Sequence, residues 1–185
     1  MPSRKRKAVY AGSFDPPTEG HMFMIREGSG LFDELVVAIG VNPDKRSLFS
    51  VEERLELLRA VTKDFANVTI SSFESRYLID YAAQQGARYI LRGIRNASDF
   101  HFEQTMRNVN ADRNPGVTTV FLLPPRELAE VSSSFVKGLV GPRGWRDFLK
   151  NMVPSPVHEA LKRKFPGSKG GDDGEGAPEP KDPEG

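Results

Sequence analysis

The sequence predicts an α/β fold, a parallel five-stranded sheet with helices packed on both faces. Three observations carry that reading. Apolar runs of strand length alternate five times with longer segments of helical period. The run at residues 35–40, Leu-Val-Val-Ala-Ile-Gly, is continuously apolar, as a central parallel strand covered on both sides should be. The turns richest in glycine, basic and hydroxyl residues each follow a strand, so they gather at one edge of the sheet.

Residues 8–11 make the first buried strand, and Gly12-Ser-Phe-Asp-Pro-Pro-Thr-Glu-Gly-His21 turns it into a helix. Gly12 leaves room for a ligand near the backbone, Pro16 and Pro17 stiffen the turn, and Thr18 is placed to cap the helix. His21 then falls on the first helical turn. Free N–H groups and the positive end of the helix dipole favour phosphate there, and an imidazole can donate to a phosphate oxygen. The helix runs to about Gly30. The strand at 35–40 opens into Val41-Asn-Pro-Asp-Lys45, a loop at the sheet edge where ligands bind in open α/β folds. Ser50-Val-Glu-Glu53 reads as a capping box for a second helix, with Leu55, Leu58 and Val61 on its apolar face.

Residues 68–71 form the third strand, and 72–78 lead into a helix ending near Gly86. Residues 88–91 form the fourth, with Arg92 and Arg95 flanking Gly93 at its end. Guanidinium groups placed there offer planar, bidentate recognition of phosphate. Asp99 is placed to cap a helix reaching about Asn114, on which His101 reads as a surface or subunit-contact residue. Residues 117–123 are the fifth strand, ended by Pro124 and Pro125. Ser132, Ser133 and Ser134 then begin a helix, capping it and offering a second phosphate cradle. Lys137, one turn on, faces either the phosphates or water. Residues 145–151 and 156–165 read as terminal helices.

These elements make a single Rossmann-like domain over residues 7–165, after a basic arm at 1–6 and before an acidic Gly/Pro-rich tail at 166–185. The tail lacks the apolar residues that could offset its ordering entropy and is predicted to be disordered. A chain of 185 residues with 38% hydrophobic content suits one core. It has no run of about 18 apolar residues to span a membrane. With no cysteine there is no disulfide framework, thiolate metal site or cysteine nucleophile, and the expectation is a cytoplasmic protein. The net charge of +1 is too balanced for nucleic acid or membrane as the main partner. Residues 167–185 carry −4, however, leaving +5 on the rest, which suits a polyanionic small substrate. The basic arm keeps a nucleic-acid contact as an alternative, without interleaved aromatic residues to give it specificity.

His21, Lys45, Arg92, Arg95 and the serine run converge on one crevice, and no Ser-His-Asp set, metal-ligand cluster or paired catalytic carboxylate competes with them. Such a site suits phosphoryl or nucleotidyl transfer to an acceptor that is itself an anionic phosphate. Catalysis then rests on alignment and charge stabilisation.

Five stretches, GSFDPPTEGH, NPDKRSLFSVEERLELL, RGIRNASDF, TVFLLPP and VSSSFVK, follow one another along the chain. Together they resemble the nucleotidylyltransferase superfamily, whose members carry an (H/T)xGH turn, and within it the bacterial phosphopantetheine adenylyltransferases. The resemblance covers about residues 7–165. It implies transfer of AMP from ATP to 4′-phosphopantetheine, giving dephospho-coenzyme A and pyrophosphate, with His21, Lys45 and Arg92 catalytic. It implies that Ser13, Phe14, His21, Gly93, Arg95, Glu103, Leu128, Ser132, Ser133 and Ser134 bind ATP. Ser13, Lys45, Tyr77, Leu78 and Arg92 would bind the acceptor. Magnesium would enter mainly on the ATP phosphates, with no metal site of the protein's own, and the chain would assemble as a hexamer. One stretch departs from the family pattern: residues 73–78 run one residue longer and put Arg76-Tyr77 where an apolar pair is expected. That departure keeps open a related transferase with another phosphorylated acceptor, such as nicotinate mononucleotide. A non-catalytic nucleotide- or nucleic-acid-binding module is the alternative of a different class.

Overall fold

The computed structural model describes residues 5–166; residues 1–4 and all but the first residue of the acidic tail lie outside the described residues. One parallel sheet of five strands runs in the order β3-β2-β1-β4-β5, from β1 (Lys7–Gly12), β2 (Glu34–Val41), β3 (Val68–Glu74), β4 (Tyr89–Gly93) and β5 (Thr118–Leu122). The helices are α1 (Glu19–Leu31), α2 (Val51–Thr62), α3 (Leu78–Gln84), α4 (Ala97–Arg113), α5 (Ser133–Leu139), α6 (Trp145–Leu149) and α7 (Ser155–Lys164), with a short 3-10 turn at Arg126–Leu128. This is the Rossmann-like α/β fold that the alternation of strands and helices predicts. No described helix is long and apolar enough to cross a membrane.

Alternation along the strands divides the core. Ala8 and Tyr10 of β1 join Leu35, Val37 and Ile39 of β2 under α1, while Val9, Ala11, Val36 and Ala38 face α3. A third cluster lies to one side, where Leu57, Phe49 and Val136 meet Trp145, Leu149, Val157 and Leu161 of α6 and α7. The chain starts in the middle of the sheet, walks outward to β3, then returns to place β4 on the other side of β1. The connections therefore diverge between β1 and β4, and a crevice opens at the carboxyl ends of those two strands.

Four local expectations are corrected. The β3 strand continues past residue 71, because Phe73 and Glu74 stay in register with Gly40 and Val41 and the Phe73 ring stacks on Tyr81 at 4.4 Å. The cap of α4 is Asn96, whose Oδ1 accepts the Asp99 N–H at 2.9 Å; this frees the Asp99 carboxylate for Arg95. The α2 helix is apolar on two sides, since Leu58 packs under the sheet while Leu57 packs under α7. Lys137 faces neither solvent alone nor the crevice: its Nζ donates to the buried Asp15 carboxylate at 2.9 Å. At the amino end, Lys5 and Arg6 pair with Glu34 and Asp33 at the start of β2.

Candidate active site

A cavity of about 480 Å³ occupies the crevice between the ends of β1 and β4. Its floor is the β1 end, Tyr10 to Ser13, and its walls are the first turn of α1, the Arg92–Arg95 stretch, α4 and the segment from Leu128 to Ser134.

His21 is set by its own helix start. Thr18 caps α1, and the N–H of Thr18 donates to His21 Nδ1 at 3.0 Å, closing a reciprocal capping box. A nitrogen that accepts an N–H must offer its lone pair, so the neutral ring carries its proton on Nε2. The Thr18 hydroxyl, 2.9 Å from Nδ1, can then only donate to the same nitrogen. Phe14 backs the imidazole, with ring centroids 4.9 Å apart. Burial pushes His21 down to about 4, and the Arg95 charge adds to that. The ring is therefore a neutral donor through Nε2–H at ordinary pH.

The two arginines are fixed differently. Arg92 Nε donates to both Glu103 oxygens, at 2.8 and 2.9 Å, and its Nη2 also contacts Glu103, while Nη1 donates to the Ala11 carbonyl at 2.9 Å. Glu103 is the buried residue of α4, so this pair sits at the base of the cavity. Arg92 has five N–H groups and three are taken, which leaves two for a ligand. Arg95 is tied to Asp99 one helical turn ahead, through Nε at 2.8 Å and Nη2 at 3.2 Å.

The serines divide their work. Ser132 caps α5 by accepting the Phe135 N–H at 3.2 Å. Buried Ser133 donates to the Pro16 carbonyl at 2.8 Å, joining the serine run to the first turn of the chain. Ser134 is exposed at the cavity rim, and its hydroxyl has no hydrogen-bond partner among the described residues. Gly20 permits the close fit of α1 against the opposite wall, since a Cβ there would lie 2.7 Å from the Val131 carbonyl oxygen.

The structure thus brings together Ser13, His21, Arg92, Gly93, Arg95, Glu103, Leu128 and Ser132 to Ser134. Phe14 is fully buried behind His21 and adopts φ 45°, a strained conformation for a residue with a side chain. Lys45, Tyr77 and Leu78 do not line the cavity. Lys45 stands on an exposed loop whose turn is closed by its N–H to Asn42 O at 3.2 Å. Tyr77 is 60% exposed, with the Arg113 guanidinium 4.6 Å over its ring. Leu78 packs at the edge of the second core cluster.

Sequence reasoning missed Asp99, Phe102, Met24 and Gly20 in the lining, and Asp15 behind it. Gly20 left a signal as the x-Gly-His of the motif turn, and Asp15 and Asp99 stand inside the stretches GSFDPPTEGH and RGIRNASDF without their contacts being legible there. Among the described residues no group of three histidines or carboxylates is placed to hold a metal ion.

The family whose model matches, described as cytidylyltransferase-like, covers residues 9–138. The phosphopantetheine adenylyltransferase of Chromobacterium violaceum is 57% identical over 156 residues, 84% of this chain and 95% of that one. Its counterpart in Neisseria meningitidis serogroup C is 55% identical over 161 residues, 87% of this chain and 95% of the relative. Among solved structures, the Plasmodium falciparum nicotinic acid mononucleotide adenylyltransferase complexed with NaAD superposes with a TM-score of 0.64. That match covers 88% of this chain and 96% of the other at 16% identity, so the likeness is one of fold alone.

Proposed function

The chain belongs to the phosphopantetheine adenylyltransferases, within the cytidylyltransferase-like family, and from that membership we propose that it transfers AMP from ATP to the 4′-phosphate of phosphopantetheine. An oxygen of the acceptor phosphate attacks the α-phosphorus of ATP. The bond from that phosphorus to the bridging oxygen breaks, and pyrophosphate leaves with dephospho-coenzyme A as the other product. The acceptor is already an anion, so no proton has to be removed and the site needs no general base.

The observation that carries this reading is the cavity between β1 and β4, lined by donors, in which no described side chain is an activated nucleophile or a free base. His21, neutral and protonated on Nε2, donates to the α-phosphate as charge accumulates there. The two uncommitted N–H groups of Arg92 orient the acceptor phosphate. Ser13, Gly93, Arg95, Glu103, Leu128 and the serine run hold the nucleotide, and Phe14 holds the imidazole from behind. Lys45, on the loop that follows β2, is the group that meets the phosphates of the acceptor and ATP in this reading, and Tyr77 with Leu78 walls the arm of the acceptor. Asp99 and Glu103, the carboxylates at the cavity, are each committed to an arginine. Magnesium would therefore be carried mainly by the ATP phosphates, where it would neutralise charge. A cytoplasmic location accompanies ATP as substrate. A homo-oligomer, a hexamer by resemblance, is supported by α4, whose Phe100 and Val109 are exposed.

The test is pyrophosphate release with ATP and magnesium, comparing phosphopantetheine with nicotinate mononucleotide. Release with phosphopantetheine alone is expected. Release with nicotinate mononucleotide alone would assign the acceptor elsewhere while leaving the nucleotide half intact.

A further inference from the structure

The carboxylate of Asp15 lies behind the cavity and joins three separate pieces of chain. It is 2% exposed. It accepts the Leu48 N–H at 3.1 and 2.9 Å, the Phe49 N–H at 2.8 Å and the Lys137 ammonium at 2.9 Å. Burial alone would push this carboxyl up, but the two N–H groups and the Lys137 charge more than offset it and hold it below the usual carboxylate range.

The partners belong to separate pieces of chain. Asp15 is on the turn after β1, Leu48 and Phe49 end the loop at residues 42–49, and Lys137 is on α5 behind the serine run. An ion pair with its carboxylate buried is an inefficient way merely to glue such pieces together, since well-packed apolar groups of the same shape are commonly as stabilising. What a carboxylate adds is direction: its oxygens fix where two consecutive backbone N–H groups must sit. The 42–49 loop is anchored by β2 at one end and by those bonds at the other. Lys45 stands between the anchors, with a local turn bond of its own.

We propose that Asp15, held by Lys137, is a positioning residue that sets where the 42–49 loop presents Lys45 to the phosphates. The proposal rests on the reading of Lys45 as a phosphate-binding group.

Asp15→Asn and Lys45→Ala, compared singly and together in the full chain, test it through kcat, the KM of each substrate and the thermal midpoint. Lys45→Ala is expected to lower kcat/KM for phosphopantetheine about a hundredfold, and Asp15→Asn about tenfold, with the KM for ATP changed by no more than about twofold. In the Lys45→Ala background, Asp15→Asn should then cost at most about twofold more, because a misplaced loop has no lysine contribution left to lose. Losses that multiply in the double variant mean that Asp15 acts through general stability or another group, and they overturn the proposal. Wild-type turnover in Lys45→Ala alone overturns the reading of Lys45 and the proposal with it. Should Asp15→Asn not fold, Lys137→Met keeps both N–H bonds while removing the cation. It runs the same cycle, with coupling supporting and multiplication overturning.

Discussion

At the scale of single residues, the protonation state of His21 is the most consequential detail. A histidine ordinarily titrating near 6.5 is held down to about 4, by burial first and the Arg95 charge second. Turnover should therefore show no step near pH 6.5 attributable to this ring. His21→Ala is expected to lower kcat about a hundredfold, as loss of one transition-state donor does, with the KM for ATP little changed. The same shift acts on stability. Between pH 6.5 and about 4 the unfolded chain binds a proton at this position that the folded chain does not, so His21's contribution is complete above 6.5 and is lost as pH falls through that window. Urea melts at pH 7.5 and pH 5 should show wild type losing more stability on acidification than His21→Asn; equal losses would remove His21 from the linkage. His21 was readable in the sequence because a cap, a glycine and an imidazole share one helical turn. Asp15 was not, since its importance comes from Leu48, Phe49 and Lys137, partners that only the fold brings to it.

At the scale of elements, the approach of α1 to the 3-10 turn shapes the nucleotide wall. Gly20 meets the Val131 carbonyl at a distance no side chain tolerates, and a backbone carbonyl cannot swing aside as a flexible side-chain end can. Gly20→Ala should therefore move the segment from Leu128 to Ser133, raise the KM for ATP and cost about 1–3 kcal/mol of stability. Gly30, in the same helix, has nothing within 4 Å of the point where a methyl group would sit, and Gly30→Ala should stabilise by about 0.5–1 kcal/mol without touching kinetics. Thermal melts beside ATP titrations separate the two, and a Gly20→Ala protein with wild-type KM would mean that the wall yields freely. Strands and helices of this kind were legible because burial leaves its mark on the apolar pattern, as the unbroken apolar run of β2, covered on both faces, shows. The errors fell where another element intervenes. The β3 strand runs on because β2 continues to pair with it, and the Leu57 side of α2 is apolar because a later helix covers it.

At the scale of the molecule, the family match ends at residue 138, yet the chain beyond it supports the site. The Met152 carbonyl accepts the Glu19 N–H at 2.9 Å, so the turn before α7 satisfies the first N–H of the helix that carries His21. The α6 and α7 helices cover Phe49, Leu57 and Val136, which hold the 42–49 loop, α2 and α5 in place. Each such side chain contributes about 1.5–3 kcal/mol when fully buried. Uncovering three of them removes roughly 5–9 kcal/mol from a domain whose net stability is expected to be about 5–15 kcal/mol. A chain ending at Leu139 is therefore expected to lose its cooperative thermal transition, although it retains every strand and every cavity residue. Leu161→Ala, a milder version of the same loss, should cost about 2–5 kcal/mol. Lys164 and Glu53 also join the end of α7 to the start of α2 at 3.0 Å, and Arg54 of α2 donates to the Ser13 carbonyl at 2.9 Å. The truncated chain's melt decides the point. A sharp transition with ATP still bound would show that the βα core stands alone and that the terminal helices serve something other than the site.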